Sequence, residues 1–207
     1  MLPSSAPFDL TDHFLIAMPG LEDKAFGRSV VYLCEHGERG ALGLIINKPS
    51  ADLTLSGLFA KVDLPLDRTD LQKVPVFDGG PVQTGRGFVL HEAIIVERAG
   101  GDLGENSPQE SVYQSTMTIP GGLEMTTSKD VLEAISSGSG PKKLFITLGY
   151  SQWAQGQLES ELAENTWLTV QADPEVIFNT PIKERYAKAL SLLGLQEWMI
   201  SRQSGRA

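Results

Sequence analysis

Between Ser29 and Ser50 the chain reads SVVYLCEHGERGALGLIINKPS, and this stretch constrains the fold more than any other. Two short β-favouring runs, residues 29–34 and 41–47, flank His36-Gly-Glu-Arg-Gly40, which is the pattern of a hairpin with a glycine-bearing loop. Pro49 stops the second run because proline has no N–H to give to a ladder. A second strong signal is Lys143-Leu-Phe-Ile-Thr-Leu-Gly149, which is nearly all apolar and therefore expected at a central position in a sheet. Twenty-one glycines and twelve prolines in 207 residues fit many turns and a mixed α/β chain, not a helical bundle.

Other segments fill in the pattern. Residues 53–60 predict a short helix with Leu55, Leu58 and Phe59 inward, and 74–77 and 86–91 predict strands. The polar, glycine-rich run 100–110 predicts a mobile loop. Thr127-Ser-Lys-Asp130 resembles a capping box opening a helix through Val131, Leu132 and Ile135, closed by Gly138. Residues 156–164 predict a helix and 167–170 a strand. Thr180 and Pro181 then open a helix that runs to Leu193, with Ile182, Tyr186, Ala189, Leu190 and Leu193 on one face. The length suits one domain, and no linker divides it.

Composition narrows function and location. A net charge of −9 disfavours sequence-independent nucleic-acid binding, which depends on cations neutralising phosphates. The final helix offers only Lys183, Arg185 and Lys188 among acidic neighbours, so direct DNA binding is not expected. A lone cysteine forms no internal disulfide. The N-terminus lacks a basic region before its short apolar run, and no apolar stretch approaches the ~20 residues of a membrane span. These features predict a cytoplasmic protein with no membrane association.

The chemistry-bearing motifs are few. Residues two apart on a regular strand share a face, so Tyr32, Cys34 and His36 are expected to project together. A reactive thiol needs its pKa lowered by a basic partner or a helix terminus, and side chains on one strand diverge; the expectation for Cys34 is a buried structural cysteine. Cys34, His36, His91 and Glu92 match no standard zinc spacing, and His91-Glu-Ala-Ile-Ile95 fails the His-Glu-x-x-His pattern, so no metal or other cofactor is expected. Asp78-Gly-Gly-Pro81 reads as a tight turn, and Gly85-Arg-Gly87 lacks the third glycine of a dinucleotide fingerprint. Gly149-Tyr-Ser-Gln-Trp-Ala-Gln-Gly156 reads as a polar-aromatic loop between a buried strand and a helix, a place where α/β sheets often carry ligands.

Taken in order, Phe14-Leu-Ile-Ala-Met-Pro19, Arg28 to His36, Gly40 to Pro49, Gly79-Gly-Pro-Val82, Arg86 to His91 and Gly149 to Glu159 resemble the AlgH family of bacterial proteins, also called YqgE-like. The resemblance runs from about Phe8 to Leu195. Lys48 stands where arginine is frequent, and Ser151-Gln152 where small residues are usual. The resemblance implies one α/β (α+β) domain over residues 1–207, with a bent, bifurcated β-sheet forming a pseudo-barrel flanked by helices. The first and last few residues are expected to be flexible. It also implies a transcriptional-regulatory role, with no agreed DNA-binding element or reaction.

The leading expectation is a protein that binds a small molecule or a protein partner at one surface. That surface would gather Asn47, Lys48, Gly79, Gly80, Pro81 and His91 with Tyr150, Trp153 and Gln157. The amides of Asn47 and Gln157 would hydrogen-bond, Lys48 would supply charge, and Tyr150 and Trp153 a stacking face. The alternative is a hydrolase or transferase using Cys34, His36 or His91, which requires an accessible thiol or imidazole with a partner in reach.

Overall fold

The computed structural model describes residues 9–94 and 111–200; the predicted loop over 100–110 and the predicted flexible termini lie outside them. Ten strands form one curled sheet: β1 (His13–Ala17), β2 (Val30–Gly37), β3 (Gly40–Ile45), β4 (Pro49–Thr54), β5 (Pro75–Asp78), β6 (Val82–Glu92), β7 (Thr116–Ile119), β8 (Leu123–Thr126), β9 (Leu144–Trp153) and β10 (Trp167–Gln171). Among the described residues five α-helices accompany it: α1 (Leu55–Lys61), α2 (Lys129–Ser136), α3 (Gln157–Ala163), α4 (Pro174–Phe178) and α5 (Arg185–Leu192). The main path runs β10-β1-β2-β3-β9-β6-β8-β7 and every pair along it is antiparallel.

The fork in the sheet is at β9. Along one edge β9 pairs with β6. Along the other, its first half pairs in parallel with β5, through Thr147 and Leu148, and its second half pairs with β3, through Ser151, Gln152 and Trp153. One strand edge thus serves two neighbours. The mixed single domain with a curled sheet is the fold expected.

Alternation along the strands explains why they are apolar throughout. Phe14 and Ile16 of β1 point into the curl, while Leu15 and Ala17 face outward. The inner core combines Phe14, Tyr32 and Leu44 from one half of the sheet with Leu90, Met125 and Phe145 from the other, and Ile177, Tyr186 and Leu190 of α4 and α5 close it. Outside, α3 covers one half through Leu158, and α1 and α2 cover the other through Phe59, Val131 and Ile135. Each large apolar side chain so buried contributes about 1.5–3 kcal/mol. The curl closes where the β7–β8 turn reaches the start of β1: a side chain at Gly121 would strike the Asp12 carboxylate. That carboxylate accepts the Tyr32 hydroxyl (2.9 Å) and the Gln171 amide (2.7 Å). Burial is the main influence on it and raises its pKa, against those hydrogen bonds.

Four local expectations change. The second run does stop, at Ile45, but Pro49 itself opens β4, whose partner is β5, and proline is tolerated at such a first position. The capping box does not form: Ser128, not Thr127, is the N-cap of α2, and Asp130 accepts the backbone N–H of Gln114 and Val131. The last helix begins with a 3-10 turn, Ile182–Glu184, before α5. The supposed loop after Gly149 is strand, since β9 continues to Trp153 with Ser151 and Trp153 buried.

Candidate functional site

The fork is built around backbone that side chains would obstruct. Gly79 follows β5 and enters the gap, donating its N–H to the Leu148 carbonyl (2.9 Å) while its own carbonyl accepts the Ile45 N–H (3.0 Å). A Cβ on Gly79 would run into the Gly149 carbonyl and the Thr147 side chain. Gly149 lies at φ +71°, the left-handed region open to glycine, which turns β9 from its first partner to its second. Two buried hydroxyls complete the packing: Thr147 donates to the Gly149 carbonyl (3.2 Å) and Ser151 to the Gly79 carbonyl (3.1 Å).

Opposite Gly149 the β6 register jumps. Val82 pairs with Tyr150 and Gly87 with Leu148, so residues 83–86 project as an exposed bulge. Arg86 lies on this bulge. Its Nη2 donates to the Thr127 hydroxyl (3.0 Å) and its Nη1 to the Gln83 side-chain carbonyl (3.4 Å). Its guanidinium carbon is 5.7 Å from the centre of the Phe88 ring. Phe88 in turn meets Tyr150 at 5.3 Å, and the Tyr150 hydroxyl donates to Gln152 (3.2 Å). Exposed Pro81, Gln83, Arg86 and Gln152 therefore surround a half-buried tyrosine on a rigid support.

The residues named from sequence divide between this junction and other places. Backbone bonds bring Lys48 to Asp78 (2.9 Å) and Ile45 to Gly79 (3.0 Å), so Asn47, Lys48, Gly79, Gly80, Pro81 and Tyr150 share one neighbourhood. The Asn47 and Lys48 side chains are occupied there. Asn47 accepts the Val30 N–H (2.8 Å) and donates to the Arg28 carbonyl (2.8 Å), and the Lys48 ammonium donates to the Ala25 carbonyl. Burial lowers the Lys48 pKa.

Trp153 and Gln157 are not part of this surface. Trp153 faces the outer core beneath α3, packed on Phe26 and Trp167, with its indole N–H on Glu161 (2.9 Å). Gln157 accepts the Ala154 N–H (3.0 Å) and donates to Glu161 (2.9 Å). His91 is fully buried at the far end of β6. The Glu92 carbonyl can only accept, so His91 Nδ1 donates to it (2.9 Å), leaving Nε2 to receive the Thr126 hydroxyl (2.9 Å).

The shared face expected for Cys34 and His36 is corrected. In the β2–β3 ladder Leu33 pairs with Gly43 and Glu35 with Leu42, so Cys34 is an extra residue, a β-bulge. One extra residue reverses the alternation. Cys34 joins Tyr32 in the inner core, while His36 faces α3, accepting the Leu10 N–H at Nδ1 (3.0 Å) and donating from Nε2 to Glu159 (3.0 Å). Burial pushes the Cys34 thiol pKa far up, with nearby Asp12 and Glu35 adding to it. Arg185, read from sequence as a surface cation, is also buried. It donates to the Thr180 carbonyl (3.1 Å) and the Ile46 carbonyl and lies against Phe77 and Phe145, and burial draws its pKa down to about 10.

Gln83, Arg86 and Gln152 were not legible as site residues. Their exposure depends on the register jump opposite Gly149, and Gln83 adopts a positive φ that no residue type announces. Among the described residues, no group of three or more His, Cys, Asp or Glu is arranged to hold a metal ion. No helix among them is long and apolar enough to cross a membrane.

These features define a class: a single mixed α/β domain whose curled sheet forks at one strand and exposes residues beside the fork. The chain belongs to the AlgH-like family, DUF179, whose model matches residues 14–198. It is 68% identical over 207 residues to a UPF0301 protein of Delftia acidovorans, covering all of both chains. It is 66% identical to a UPF0301 protein of Paracidovorax citrulli, again over the whole of both. The solution structure of the AlgH protein from Pseudomonas aeruginosa matches with a TM-score of 0.71 and 43% identity over all of both chains. A crystal structure from Corynebacterium diphtheriae shares the fold at a TM-score of 0.63 and 18% identity, over 92% of this chain and 88% of the other.

Proposed function

We propose that this protein works by binding, recognising a small molecule or a protein partner, and that any transcriptional effect passes through that partner. The recognition surface in this reading lies beside the fork, on Pro81, Gln83, Arg86, Tyr150 and Gln152. One observation carries it: exposed polar groups and an aromatic ring surround a glycine-packed support that cannot yield easily. Groups held by such a support lose little freedom on binding.

The fates of the other candidates support binding over a thiol or imidazole enzyme. Cys34 is buried with its pKa raised, and both nitrogens of His36 and of His91 are engaged. Direct DNA recognition has less support once the Arg185 side chain, at the start of α5, is buried. A cytoplasmic setting belongs to the same proposal, since the fold has a free, buried cysteine and no disulfide to maintain.

The test is an amide-resolved NMR titration of the isotopically labelled protein with small-molecule extract and with fractionated protein from its host. Shifts are expected at the amides of Gly80, residues 82–86 and residues 150–152 and should weaken in Gln152→Ala. Binding that leaves those signals unmoved and maps to another face overturns the reading.

A further inference from the structure

We propose that Arg86 anchors the carboxylate of a small organic acid, an inference that rests on the binding surface proposed above and names its ligand chemistry. Among the described residues, Arg28 meets Glu197 at 2.8 Å, Arg39 meets Glu35 at 3.6 Å and Arg68 meets Asp70 at 2.6 Å. Arg185 is buried on backbone carbonyls. Arg86 is the exposed arginine among the described residues with no carboxylate within ion-pair distance.

Its own partners are neutral. The Thr127 hydroxyl and the Gln83 amide orient the guanidinium, and the Phe88 ring lies beside it. A guanidinium has five N–H donors, and these contacts use two of them, leaving three donors and the whole positive charge for a ligand. A carboxylate matches the planar fork with two parallel hydrogen bonds. Tyr150, in contact with Phe88 at 5.3 Å, provides a face for the acid's organic body, and the exposed Gln152 amide a polar contact at its edge.

Charge selects among anions. The surface offers one fixed cation in a chain of net charge −9. A singly charged carboxylate is balanced by one guanidinium. A phosphate dianion or a polyphosphate needs more positive charge than the described groups here supply, and long-range repulsion from the chain opposes it.

The experiment uses the full chain, labelled for NMR of backbone amides and of the arginine Nε–H, with benzoate, benzamide and phenyl phosphate as probes. Benzoate should shift the Arg86 Nε–H and the amides of residues 82–86 and 150–152, with a dissociation constant on the order of millimolar for so small a probe. Benzamide, of the same shape without the charge, should not. Arg86→Gln should weaken benzoate by about tenfold or more, and Arg86→Lys should also weaken it, since it keeps the charge and loses the fork. The substituted side chain is exposed, so each variant's dispersed spectrum reports that it is folded. Tighter binding of phenyl phosphate than benzoate overturns the carboxylate assignment. Equal shifts with benzoate and benzamide, or wild-type benzoate binding by Arg86→Gln, overturn the Arg86 anchor while leaving the binding surface in place. No shift at these residues with any probe also overturns the anchor, and the titration with host material judges the surface by itself.

Discussion

β2 and β9 each lose register once, at Cys34 and at Gly149, and the outcomes are opposite. In β2 the extra residue lies where both faces are already covered: Cys34 goes into the inner core and His36 beneath α3. Two residues that look like chemistry in the sequence are consumed by packing. In β9 the change of partner happens opposite a stretch of β6 that stays exposed. The slack is taken up by β6, whose residues 83–86 are pushed into solvent with Arg86 among them. A strand irregularity becomes a candidate site only where the surrounding layers leave it open.

The sharpest way to break this comparison is to fill the fork. Gly79→Ala places a methyl against the Gly149 carbonyl and Thr147, and Gly149→Ala puts a side chain at φ +71°. Each should cost about 2–4 kcal/mol in urea unfolding. A loss under about 0.5 kcal/mol, within the range of ordinary surface changes, would mean that the fork tolerates side chains and is not the rigid support described.

A middle-sized effect tests the closed side. The Cys34 thiol has its pKa raised above its ordinary value of 9.0 in the folded state, so the native protein holds that proton while the unfolded chain releases it. The stability this represents is fully present below pH 9 and is lost as pH rises, by at most about 1.4 kcal/mol per pH unit for one group. Tyr32, also raised by burial, adds to the loss at higher pH. Cys34→Ala should therefore show a shallower fall in stability between pH 9 and 10.5 than the wild type. Parallel curves, or rapid labelling of the native thiol at pH 8, would show that Cys34 is open to solvent after all.

The smallest effect tests the open side. Arg86→Gln and Gln152→Ala replace exposed groups whose hydrogen bonds are open to solvent, so each should change stability by no more than about 0.5 kcal/mol. A loss of about 2 kcal/mol from either would assign that residue to the packing of the fork and would erase the contrast with β2.

The longer strands and most helices were legible because periodicity and turn chemistry are local. By contrast β1, β4, β7, β8 and α4, at four to six residues each, are too short to show a period and were not read. The apolar run of β9, the hairpin of β2 and β3 and the buried face of α5 all came from residue patterns alone. The site was legible only in its backbone. Gly79, Gly80 and Tyr150 were named from sequence and do meet, because glycines mark where chains must pass closely. Trp153 and His91 were named for their chemistry and lie elsewhere, since a strand pattern does not say which layer will cover each face.

What the sequence determined by itself was therefore a domain of short, two-sided strands with helices to cover them, and membership of a family through several segments in register. The tertiary structure decided which groups were left available. Arg185 reads as a surface cation until Phe77, Phe145 and two carbonyls enclose it, and Arg86 reads as the start of a strand until the β6 register jumps. Burial and register are set by elements distant in the chain, and a residue's chemistry is expressed only where those elements leave it in contact with water.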